Sequence, residues 1–228
     1  MHASTILLSI LAPLALAAPV EQLTRRFHGP KYSGPPSNFP AMSTWKDFNT
    51  IFSINKPDMF RKGDTGEDVG RIWNAVNGAA RDIGVQERVI FCIIMQESTG
   101  DVGVRTTIAP DKSHSGGLMQ AAESPGFPGQ HGLSQVSINE YSLIVGQIKS
   151  AFLLTIDQDQ INRMIYAGTR HYKENLKSFG NGNDAPTIYK ALRMYNSGSV
   201  NEQNLSDGRG ATASYVSDVA NCLRGERQ

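Results

Sequence analysis

From residue 65 onward, apolar positions fall into a helical rhythm. In "DTGEDVGRIWNAVNGAARDIG", Val69, Ile72, Trp73, Val76, Ala80 and Ile83 recur at the spacing of one helix face. Thr65 precedes Asp68 by the separation of a capping box, with Asp in the place usually held by Glu or Gln, and Gly84 supplies a C-cap. The segment "VQERVIFCIIMQES", residues 85–98, follows. Its stretch 89–95 is entirely apolar or Cys, and a helix apolar on every side belongs at the centre of a core. Gly100 ends it. Further helices are predicted over 137–152, 157–180, 185–198 and 210–225. In the second of these, Ile161, Met164, Ile165, Gly168, Tyr172 and Leu176 set the spacing.

Between these helices the pattern breaks. Residues 101–135 are punctuated by Gly, Pro, Ser and Thr, with "VGVRTTI" as a candidate strand and "SHSGGLMQ" and "SPGFPGQHG" as loops. Residues 27–64 read as an N-terminal arm and lead-in: a Pro-rich stretch with Phe27, Tyr32 and Phe39 as its anchors, then a short helix within "TWKDFNTIFSIN". The expected fold class is therefore mainly α (α+β): a central buried helix, with a small β or irregular segment lining a cleft. Residues 65–228 form its main domain.

The chain begins with an apolar run, "TILLSILAPLALAA", of signal-peptide length and too short to span a bilayer. Ala15-Leu16-Ala17 has the form of a cleavage site, which makes residues 1–17 a signal peptide and the mature protein secreted, with no membrane segment. Arg25-Arg26 resembles a processing pair that would make 18–26 a propeptide; the alternative is an exposed charged pair in a tail. Removing residues 1–26, with Glu21, Arg25 and Arg26, leaves 202 residues with 20 basic and 20 acidic groups. That balance argues against a nucleic-acid partner. Cys92 and Cys222, an even pair in an oxidising compartment, are expected to form one disulfide. They are too few for a zinc site, no His stands at ligand spacing from either, and no metal is expected. Asn204-Leu205-Ser206 is the one glycosylation sequon.

Glu97 is the residue with chemistry in it. It shares a stripe with Ile90, Ile93 and Ile94, so it should face inward at a helix C-terminus. Desolvation and the negative helix end both disfavour its charged form. A carboxyl group kept protonated near neutral pH is what a glycosidase general acid requires. On position alone, a Glu turned to solvent at a frayed end is the stronger reading.

Four segments change that balance. "IIMQESTG", "SGGLMQ", "MYNSG" and "SYVSDV" occur in the order, and with the content, of the motifs of the lysozyme-like superfamily. The chain resembles soluble lytic transglycosylases and goose-type lysozymes, as a eukaryotic secreted member, from about Thr65 to Leu223. The resemblance implies Glu97 as catalytic acid. It implies Gly117, Leu118, Met119 and Gln120 as a loop lining the sugar cleft, and Tyr195 and Asn196 as the pair that holds the acid and contacts substrate. Met119 equally suits core packing, Asn196 equally suits a helix end before Gly198, and Tyr215 reads as a packing residue. Residues 121–160 find no place on the family pattern.

A second carboxylate has no motif behind it; Asp101, Asp111 and Glu123 are nearest in sequence. The family uses one Glu with the substrate's N-acetyl group assisting, an exception to the two-carboxylate rule. The expected function is cleavage of β-1,4 bonds in an N-acetylated amino-sugar polymer by a monomer without cofactor, with peptidoglycan as first substrate. The alternatives are a chitin-directed hydrolase and a carbohydrate-binding protein without turnover. Serine and zinc hydrolases lack their motifs, G-x-S-x-G and H-E-x-x-H.

Overall fold

The computed structural model describes residues 27–108, 112–131 and 155–227. The signal and propeptide segments, Asp111 and the helix expected over 137–152 lie outside them. The described residues hold six α-helices: α1 (Phe48–Arg61), α2 (Gly66–Ile83), α3 (Glu87–Ser98), α4 (Gln158–Lys177), α5 (Ala185–Ser197) and α6 (Tyr215–Leu223). They also hold a three-stranded antiparallel sheet in the order β1 (Thr107–Ile108), β2 (His114–Gly116) and β3 (Ala121–Ala122). Thr107 pairs with Ser115, and Ser115 in turn with Ala122. The fold is mainly α with a small β segment, as the pattern of apolar positions indicates.

The core is built around α3. All side chains from Val89 to Met95 are buried, and the helix packs against α1, α2 and α6. Each large apolar group so buried contributes on the order of 2 kcal/mol. α4 lies against α2 and α5, and α5 against α6. The Cys92–Cys222 disulfide joins α3 to α6, with its sulfurs 2.04 Å apart.

Helix ends follow local chemistry. Thr65 and Asp68 form the capping box, and Gly84 closes α2 in the left-handed region at φ 72°. Asp157 and Gln160 form a second box at the start of α4. α3 stops at Thr99, which takes the left-handed conformation itself, φ 59°, just before Gly100.

Three elements differ from the sequence expectation. α1 is longer and runs through Pro57, because Ile51, Phe52, Asn55, Asp58 and Met59 are all buried along it. Asp58 is held there by Arg227 at 2.9 Å. Trp73, placed on the apolar face by its spacing, is 40% exposed; it stacks near Phe48 and donates Nε1–H to Asn49 Oδ1. The last helix begins at Tyr215 rather than at 210: residues 208–213 form turns, and Thr212 O accepts from both Arg193 and Tyr215 N–H.

The arm is part of the same body. Phe27, Phe39 and Trp45 are buried in the common core. Tyr32 N–H donates to Ser217 Oγ at 3.0 Å and Asn221 Nδ2 donates to Pro30 O at 2.9 Å, both from α6. Leu205 N–H donates to Gly34 O at 2.8 Å.

Candidate active site

Glu97 occupies the last turn of α3, partly buried. Desolvation by the surrounding protein pushes its carboxyl from an ordinary 4.5 up to about 7; a hydrogen bond from Tyr215 works in the opposite direction. Tyr215 Oη–H donates to Glu97 Oε1 at 2.7 Å. The hydroxyl that orients the acid therefore comes from α6, from a residue whose ring is also core. Burial and the neighbouring Glu97 push the Tyr215 phenol well above its usual range, so it remains a donor at all working pH values.

The sequence reading favours packing over contact for Tyr215. A signal pointing elsewhere was present in the cysteines. The disulfide pins α6 against α3 at Cys92 and Cys222. Glu97 lies five residues beyond the first, and Tyr215 seven before the second. At 1.5 Å per residue those offsets are about 7.5 and 10.5 Å, so an antiparallel pair of helices would bring the two side chains within about 3 Å of the same level, within reach of a long phenol.

The Gly117–Gln120 loop is fastened to the acid's helix. Ser98 Oγ lies 2.8 Å from Leu118 O, close enough to donate to it, and accepts from Gly100 N–H at 3.2 Å. Tyr195 Oη–H donates to Met119 O at 2.7 Å. Tyr195 thus holds the loop, while Tyr215 holds the carboxyl. Its own phenol is pushed well above the usual range by burial and by Glu97 nearby. Gly117 has φ 68°, and a Cβ there would sit 2.5 Å from Pro125 O. Leu118 and Met119 side chains are fully buried. Met119 packs against Gly168 of α4 and Sδ accepts from Thr169 Oγ1, so the core-packing alternative describes its side chain. Gln120 is engaged inside the loop: Oε1 accepts from Thr107 Oγ1, and Nε2 donates to Gly117 O at 2.9 Å.

Asn196 presents Oδ1 to the guanidinium of Arg193, a residue that sequence reasoning did not single out. Arg193 is fully buried on α5, a position where charged side chains are rare. No pattern in the sequence distinguishes it from a solvent-facing Arg.

The candidate second carboxylates are engaged elsewhere. Asp101 accepts from Gly103 N–H at 2.9 Å and faces His131 Nε2 at 3.7 Å. Glu123, mostly exposed, lies 3.2 Å from His114 Nδ1 across the sheet. Among the described residues, no carboxylate contributes to the shift of Glu97. Ligand-capable atoms of Asp64, Asp68 and His131 lie within 4.8 Å of one another. Asp68 is committed to Thr65 and Arg71, and Asp64 to Val102 N–H. Burial raises the Asp64 carboxyl to about 8, and His131 Nδ1 stands 3.3 Å from its Oδ1. Asn204 is exposed, and its Oδ1 accepts from Gly34 and Ser206 N–H groups, leaving the amide nitrogen that a glycan would join outside those bonds.

No helix among the described residues is long and apolar enough to cross a membrane. Comparison with protein-family models, with curated proteins and with solved structures found no match.

Proposed function

We propose that the protein is a secreted glycosidase of lysozyme or lytic transglycosylase type that cleaves β-1,4 bonds between N-acetylated amino sugars, peptidoglycan first. The observation that carries this is the state of Glu97: a desolvated carboxyl, raised to about 7 and held by one phenol, at the edge of a glycine-containing loop. Such a group is protonated in mildly acid and neutral solution and is a competent proton donor.

In the proposed reaction Glu97 gives its proton to the bridging oxygen as the C1–O bond breaks. The positive charge developing at C1 is met by the carbonyl oxygen of the substrate's own N-acetyl group. Glu97, now a carboxylate, takes a proton from the attacking hydroxyl, which belongs to water in a hydrolase or to the sugar itself in a transglycosylase. Tyr215 keeps the carboxyl aimed in both steps.

The test is incubation of the mature protein with peptidoglycan and with chitin oligomers, followed by product masses. Fragments from peptidoglycan are expected, and an anhydro end one water lighter than a hydrolysed end tells the two reactions apart. Fragments from chitin alone would move the substrate to the chitin-directed alternative. Glu97→Gln should lose on the order of a thousandfold in turnover. Unchanged cleavage by that variant sinks the assignment, and binding without any product favours a non-catalytic carbohydrate-binding protein.

A further inference from the structure

We infer that Arg193 is a positioning residue: it fixes which way the Asn196 amide faces and holds Tyr215 in place beside Glu97. Arg193 has 0% of its surface exposed, and among the described residues no carboxylate lies within ion-pair distance of it. Asp207 acts on it only from beyond contact; burying a cation without a contact ion pair is costly, and an apolar side chain of similar volume would avoid that cost. What a Leu or Met cannot supply is the guanidinium fork.

The fork reaches three acceptors. One terminal nitrogen donates to Leu205 O at 3.2 Å and to Thr212 O at 3.1 Å. The other donates to Asn196 Oδ1. Thr212 O is also the acceptor for Tyr215 N–H, at 3.2 Å. α6 has no side-chain cap at its first turn. Arg193 therefore anchors that turn at the carbonyl on which Tyr215 begins. The guanidinium carbon also stands 6.0 Å from the centre of the Tyr215 ring, at the reach of a cation–π contact. Tyr215 is gripped through its backbone and through its face, while its hydroxyl meets Glu97.

The second consequence concerns specificity. A guanidinium has five donors and no acceptor. Asn196 must turn its oxygen toward Arg193, which leaves the amide nitrogen as the group open to a ligand. Any ligand that meets Asn196 is thereby offered a donor, which suits an acceptor such as a carbonyl oxygen.

The inference rests on Glu97 being the acid, so its first readout needs no turnover. The titration of the Glu97 carboxyl is followed by 13C NMR in wild type, Arg193→Met and Arg193→Lys. Loosening Tyr215 weakens the bond that lowers the Glu97 value. The titration of both variants is expected to move upward, with Lys, which keeps the charge but not the fork, moving less than Met. With peptidoglycan as substrate, kcat/KM should fall about tenfold, the factor of one lost hydrogen bond, and its alkaline limb should follow the titration. A purely structural role would lower the melting temperature and leave the limb where it is. If a folded variant titrates as wild type does, the proposal is overturned; loss of fold in both variants would assign Arg193 to stability alone and overturn it equally. A shifted titration in a protein that cleaves no glycan would keep the positioning role and remove the glycosidase reading instead.

Discussion

At Glu97 two opposing effects set one number, and the balance can be moved. Burial raises the carboxyl to about 7, and the Tyr215 hydroxyl pulls it down. Under the proposed function Glu97 is a general acid that works only while protonated, so kcat/KM on peptidoglycan should fall as pH rises through about 7. Tyr215→Phe deletes the downward pull and nothing else of comparable size, since the ring remains to fill its place in the core. Its alkaline limb should therefore shift to higher pH, while kcat drops by about tenfold as the carboxyl loses its aim. Profiles from pH 5 to 9 decide the matter; a limb unmoved in the variant would separate the hydroxyl from the acid. Glu97 became a candidate through the inward stripe of α3, but it was the four ordered segments, and not its position alone, that outweighed a solvent-facing Glu. The pattern around Tyr215 did not show its role, because a phenol that packs and a phenol that also donates a hydrogen bond occupy the same sequence positions; only the cysteine pairing hinted at it. Arg193 was hidden for the opposite reason: the general rule that charge lies outside is right almost everywhere.

Between elements, the site depends on how closely α4 approaches the Gly117–Gln120 loop. Gly168 is the contact point, where a Cβ would stand 2.4 Å from Met119 Cβ. Gly168→Ala is expected to cost 1–3 kcal/mol, roughly the range for overpacking, and to push the loop whose Met119 carbonyl receives the Tyr195 hydroxyl. Urea unfolding reads the first effect. Adding Met119→Gly, which removes the Cβ that alanine would keep, should relieve the clash, so that the pair costs less than the sum of its two single changes. Strict additivity would show that the helix and the loop do not press on each other here. Helix starts and stops were legible, since Thr65 with Asp68, Gly84 and Gly198 each carry their own local chemistry. The length of α1 and the late start of α6 were not. Burial overrides Pro57 in one, and in the other the chain turns up to Thr212, whose carbonyl is shared by Tyr215 N–H and a side chain from another helix.

Over the whole molecule, the disulfide does two things that one experiment can separate. It closes a separation of 130 residues, for which the chain-entropy model gives about 5 kcal/mol, less any strain. It also holds α6 against α3, and with it Tyr215 against Glu97. Replacing Cys92 and Cys222 with Ala should lower stability to denaturant by about 2–5 kcal/mol. The surrounding core, the Arg193 anchor and the arm bonds from Tyr32 and Pro30 all still press α6 into place. Below its new melting temperature the variant should therefore keep the alkaline limb of wild type and most of its kcat. A limb displaced upward in the folded variant would instead mean that α6 needs the covalent tie to present Tyr215. The cross-link would then belong to the acid's positioning as well as to the stability of the chain.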